Sequence, residues 1–129
     1  MQTAHDKMWE NKILTATREE LTLMLYDGGI KFINKALMAI EKKDITAAHA
    51  HILRVQDIVR EFQITLDHQY EISRELNILY DYMHFRLVEA NMRKDVEMLN
   101  EVLEMFRQFR DTWKEAMKLA KTAQPAVSQ

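Results

Sequence analysis

The sequence predicts an all-α fold, an antiparallel up-down-up-down four-helix bundle with an N-terminal arm. Three observations predict it. The 129 residues include only two Gly and one Pro. That is too little turn material for many short strands, so long helices with few connections are expected. Apolar residues recur at spacings of three and four along four stretches, the period of a helix face. Brief polar breaks separate the stretches, and short connections make neighbouring helices antiparallel. The length fits one domain, read as an arm over 1–16, a bundle over 17–121 and a tail over 122–129.

The first helix of the bundle starts at Thr17. Thr17 and Glu20 form a capping-box pair, in which hydroxyl and carboxylate each satisfy the other residue's backbone N–H. Glu19 and Glu20 suit the positive end of the helix dipole, and Lys42 and Lys43 the negative end. At about 100° per residue, Leu21, Leu25, Gly28, Phe32, Ala36 and Ala39 form one stripe. Leu23, Tyr26, Ile30, Ile33, Leu37 and Ile40 form another. The pair Gly28-Gly29 inside this helix costs stability relative to Ala and reads as a point of close helix packing.

Lys42-Lys43-Asp44 connects to a second helix capped by Asp44 or Thr46. Ala48, Ile52, Val55, Val59, Phe62 and Leu66 face the bundle, while Leu53 and Ile64 fall on the far side with Asp57 and Arg60 beside them. Asp67 to Ile72 is the next connection, and Ser73 is expected to cap a third helix reaching Arg93. Its core stripe is Leu76, Leu79, Met83, Leu87 and Ala90. Ile78, Tyr82, Phe85 and Met92 lie nearly opposite, with Val88 at the edge. Lys94-Asp95 leads to a fourth helix from Val96 to Lys121. It has one apolar stripe through Leu99, Val102, Leu103, Phe106, Phe109, Trp113, Met117 and Ala120. The tail with Pro125 is expected to be disordered. Ahead of the bundle, Met8, Trp9, Ile13 and Leu14 are spaced as if the arm lies on the bundle.

Composition removes several function classes. Hydrophobic residues are 47% and charged residues 29%, an ordinary globular balance. A formal net charge of −2 argues against a nucleic-acid or anionic-membrane surface as main partner. No Cys is present, which excludes disulfides and thiolate sites. The N-terminus has no signal-peptide core, no stretch approaches the roughly 18 apolar residues of a membrane span, and a cytoplasmic location is expected. A bundle metal site needs paired Glu-x-x-His motifs, and the nearest approach is one Asp81-x-x-His84. No glycine-rich phosphate loop, His-Glu-x-x-His or cysteine nucleophile occurs. No cofactor is implied, and an enzyme is poorly supported.

What remains is an excess of apolar surface. One core consumes one face of a helix, yet the first and third helices carry two stripes. Soluble monomers rarely leave such patches open. A homodimer, coverage by the chain's own arm, and a groove for a partner's amphipathic helix all account for it. The candidate contact residues are Leu23, Tyr26, Ile30 and Ile33, then Leu53, Asp57 and Ile64, then Ile78, Tyr82 and Phe85.

The segments TATREELTLMLYDGGIKF, HILRVQDIVREF, LYDYMHFRLVEAN and FRDTWKEA, in this order and spacing, resemble the flagellar secretion chaperone family. The resemblance runs from about Trp9 to Met117. One departure is Arg18, where the family commonly has Pro at the first helical position. The resemblance implies an antiparallel four-helix bundle in the bacterial cytosol. It implies binding of the disordered C-terminal segment of flagellin, prevention of premature polymerisation, and delivery to the flagellar type III export apparatus. A component of that apparatus is an implied second partner. The alternative from the residues alone is a homodimeric bundle without a chaperone role.

Overall fold

The structure is a computed structural model that describes residues 3–123. It has five helices and no strand among the described residues: α1 (Ala4–Thr15), α2 (Arg18–Glu41), α3 (Ile45–Thr65), α4 (Ile72–Arg93) and α5 (Val96–Ala123). The first correction to the sequence reading is α1. Residues 4–15 are not an arm laid on the rest of the molecule but a capped helix with no buried residue. Met8, Trp9, Ile13 and Leu14 are all exposed. Thr3 and Asp6 form a capping box at its start, and only Ala16 and Thr17 separate it from α2.

The starts and stops are local chemistry. At α2, Glu20 N donates to Thr17 Oγ1 at 3.1 Å and Thr17 N donates to Glu20 Oε1 at 2.8 Å. These bonds hold the Glu20 carboxyl below the usual carboxylate range. Asp44 caps α3 through Ala47 N at 3.1 Å, and Asp95 caps α5 through Met98 N at 3.1 Å. Both connections place a lysine, Lys43 or Lys94, at positive φ, with the next residue's N–H returning to the carbonyl of Ala39 or Ala90. This helix ending usually takes Gly, but both glycines are spent inside α2. Ser73 is not a cap: α4 begins at Ile72, and Ser73 is buried within its first turn. At the other end, α5 continues two residues past Lys121, and residues 124–129 lie outside the described residues.

Helices α2 to α5 pack in a ring. α2 lies against α3 and α5, and α4 lies against the same two. Side-chain pairings run in opposite directions along each pair. Phe32 meets His51, and Tyr26 meets Phe62. His49 pairs with Asn91, and Gln63 with Asn77. Trp113 Nε1 donates to Glu19 O at 2.9 Å, and Tyr26 stacks on Phe109. The core inside the ring holds Ile52, Val55, Val59 and Phe62 from α3, Tyr80, Met83, Leu87 and Ala90 from α4, and Leu99, Val102, Leu103 and Phe106 from α5.

From α2 the core takes Tyr26, Ile33 and Ala36, with Gly29 also buried. This corrects the division of α2 into an inner and an outer stripe. Tyr26 at 5% and Ile33 at 0% exposure are inside, and Ile30, Leu37 and Ile40 pack against the same core. A helix held between two neighbours buries its central face and both flanks, so neither stripe of α2 is left over. Leu79 is corrected in the other direction, since it is 40% exposed while its neighbour Tyr80 is buried.

Candidate partner-binding surface

The apolar surface that remains open is built on α4. Tyr80, Met83, Leu87 and Ala90 fix its inner face. Ile78, Phe85 and Met92 are then turned outward at seven-residue intervals, with Tyr82 between the first two. Ile78 is 62%, Phe85 60% and Met92 75% exposed, and Tyr82 is partly exposed. Ile78, Tyr82 and Phe85, expected to contact a partner, are thus exposed in the free fold, which such a contact would require. Over 14 residues the row is about 21 Å long at 1.5 Å per residue.

Polar seams border the row on both sides. Toward α5, Tyr82 Oη donates to Glu101 Oε2 and Arg86 Nε donates to Glu101 Oε1, each at 2.6 Å. The Tyr82 hydroxyl bond, then the Arg86 guanidinium, holds the Glu101 carboxyl below its usual range. The same hydrogen bond to Glu101 raises the Tyr82 phenol. This anchors the Tyr82 ring at the margin of the row while one side stays open to water.

Toward α3, Gln63 Nε2 donates to Asn77 Oδ1 at 3.0 Å and to Asp81 Oδ1 at 2.7 Å. Arg60 lies 3.2 Å from His84 Nδ1, and Asn91 lies 2.8 Å from His49 Nδ1. A guanidinium only donates, so His84 Nδ1 accepts and its ring is neutral in this arrangement. Partial burial, and then the Arg60 charge, lower the His84 pKa. Asp81 and His84, the pair considered for metal ligation, are thus partners of Gln63 and Arg60 across the α3–α4 seam. Among the described residues no cluster of three or more His, Asp or Glu side chains is placed to hold a metal ion.

Beyond that seam, the outer face of α3 carries exposed Leu53, Asp57 and Ile64. Of the α2 candidates, Ile30 is half-buried against the core. Leu23 is half-buried beside Met117 and Ala120, in an open cleft of about 1010 Å³ between the start of α2 and the end of α5. The structure therefore brings Ile78, Tyr82 and Phe85 onto one open face and leaves Leu53, Asp57 and Ile64 on the next helix. It removes Tyr26 and Ile33 to the core. Sequence reasoning left Met92 out of the contact set although its seven-residue interval from Phe85 marks it. It also missed exposed Tyr70 and Ile72 near the start of α4.

Among the described residues no helix is long and apolar enough to cross a membrane. The sequence matches the family described as "Flagellar protein FliS" over residues 1–120. It is similar to the "Flagellar secretion chaperone FliS" of Bacillus subtilis, with 41% identity over 118 residues covering 92% of this chain and 89% of that protein. The proteins of the same name from Escherichia coli and Salmonella typhimurium are also similar. Identity is 28% over 84% of this chain and 82% of the first, and 29% over 82% of this chain and 81% of the second. The chain belongs to the FliS family of flagellar proteins.

Proposed function

We propose that the chain is a flagellar export chaperone that holds the C-terminal segment of flagellin. In this reading α2 to α5 form the antiparallel up-down-up-down four-helix bundle of such a chaperone, in the bacterial cytosol. The observation that carries the reading is the exposed row Ile78, Tyr82 and Phe85 on the side of α4 away from the core. It belongs to a chain whose relatives are named as flagellar secretion chaperones. A disordered client that orders on binding loses several kcal/mol to that ordering. A long apolar contact offsets the loss, and nothing catalytic is required. Leu53, Asp57 and Ile64 on α3 extend the contact, and a component of the export apparatus receives the complex.

Calorimetric titration of the protein with a flagellin C-terminal peptide tests this. One site, a negative heat-capacity change and a gain of helical circular dichroism are expected. A peptide that neither binds nor gains helix would sink the proposal. The seven-residue interval between Ile78, Phe85 and Met92 also suits a helix–helix seam between two copies. Sedimentation separates the readings: a tight dimer indifferent to the peptide favours the homodimer.

A further inference from the structure

We propose that the α2–α3 groove around Phe32 is a docking surface for an acidic polypeptide segment. Three cations converge on this ring. Lys31 Nζ lies 5.7 Å, Lys35 Nζ 5.5 Å and Arg54 Cζ 5.0 Å from its centroid. The His51 ring stacks on it at 5.9 Å. The attraction of each cation for the ring face and the covering of apolar surface by the long side chains hold them there. Neither effect neutralises the charges. The ion pairs among the described residues use other cations, namely Arg60, Arg86, Arg93, Arg107 and Arg110. Asp27 and Asp57 stand about one helical turn from the cluster, and neither is within the 4.0 Å of an ion pair with Lys31, Lys35 or Arg54.

Three like charges therefore share one aromatic platform and lack carboxylates. A segment that sets two or three carboxylates over the ring supplies the missing charge. The formal net charge of −2 gives no long-range pull on anions, so the attraction is local and sensitive to salt. A nucleic acid fits the site poorly. Its phosphates continue on both sides of any contact, whereas the cluster spans little more than one helical turn and is bordered by Asp27 and Asp57. The groove lies on the opposite flank of α3 from the α3–α4 seam, and the proposal does not rest on the flagellin reading.

The test titrates the full chain with a capped hexaglutamate peptide and follows backbone amides by NMR. Shifts centred on Lys31 to Lys35 and His51 to Arg54 are expected. The triple variant Lys31→Gln, Lys35→Gln, Arg54→Gln should weaken binding by about tenfold or more. A control triple, Lys114→Gln, Lys118→Gln, Lys121→Gln on α5, should leave it within about twofold. Raising sodium chloride from about 50 to about 300 mM should also weaken binding several-fold. If the groove triple melts below the parent, Arg54→Gln alone replaces it, with a loss of about threefold expected. The proposal is overturned by shifts elsewhere or by no shifts. It is also overturned by an equal loss in the control, by no loss in the groove variants, or by a thymidine hexanucleotide or tripolyphosphate binding as tightly as the peptide.

Discussion

Replacing Gly28 and Gly29 separately by Ala should move stability in opposite directions. A Cβ on Gly28 would meet nothing nearer than Ile58 Cδ1 at 3.6 Å, an ordinary contact. The substitution then gains most of the helix-propensity difference, about 0.5–1 kcal/mol. A Cβ on Gly29 would lie 2.2 Å from Phe106 Cε1, 2.6 Å from Cδ1 and 2.7 Å from Cζ. That ring has nowhere to go, since Phe106 is 0% exposed and faces Phe62 at 6.1 Å between centroids. Overpacking of this kind costs about 1–3 kcal/mol, and so close an approach belongs at the upper end. After the propensity gain, Gly29→Ala should be destabilised by about 1–2 kcal/mol, leaving the two variants about 2–3 kcal/mol apart. Urea unfolding followed by tryptophan fluorescence reads the difference, because Trp113 packs against the core. The double variant Gly29→Ala, Phe106→Leu should be more stable than the sum of its parts, since the smaller side chain removes the clash. If Gly29→Ala is as stable as Gly28→Ala, the close approach of α2 to α5 at Phe106 is wrong.

Three further outcomes follow from the same structure. Ile78→Ala or Phe85→Ala should leave melting of the free protein nearly unchanged and weaken flagellin-peptide binding by about 1–3 kcal/mol, whereas Leu87→Ala should cost about 2–5 kcal/mol in denaturant unfolding. The His84 pKa is lowered in the fold from the ordinary 6.5, so the unfolded chain binds its proton first. This contribution to stability is present above about pH 6.5 and is lost as pH falls from there through the folded pKa, so His84→Gln should flatten the melting profile between about pH 7 and 5. Lys43 holds a φ of 61° where a side chain is strained, so Lys43→Gly should raise stability by up to about 1 kcal/mol, read as a small rise in melting temperature.

The elements that the sequence made legible are those with local signals. Thr17 with Glu20, and Asp44 rather than Thr46 before the next helix, mark starts that the structure keeps. The α3 stripe from Ala48 to Phe62 is buried as its spacing requires. The same signal was available for α1, because Thr3-Ala4-His5-Asp6 has the capping-box pattern of Thr17 to Glu20. The apolar spacing of Met8, Trp9, Ile13 and Leu14 points instead to a packed arm, although a cap can start a helix that buries nothing. Ser73 misled for a related reason. Its residue type favours a cap, but a backbone bond from Ser73 N to Tyr70 O already continues the turn there.

Tertiary neighbours decide what spacing alone leaves open. On α2 the buried line through Tyr26, Gly29, Ile33 and Ala36 runs between the two stripes seen in the sequence. One flank, with Phe32, meets α3, and the other, with Ile30, packs against the core. A glycine at the centre of that line hides it, because Gly29 adds nothing to an apolar pattern while admitting the Phe106 ring. On α4 the inner line through Tyr80, Met83, Leu87 and Ala90 lies roughly 180° from Ile78, Phe85 and Met92 at about 100° per residue. No neighbour in a ring of four reaches the side opposite the core. Two apolar stripes that flank a buried line are therefore consumed by packing, while a stripe opposite that line stays in water until something outside the ring covers it. By this reasoning α2 stabilises the fold, while α4 offers the open surface on which the proposed partner docks. Substitutions at Ile30 should then act through stability, and those at Phe85 through binding.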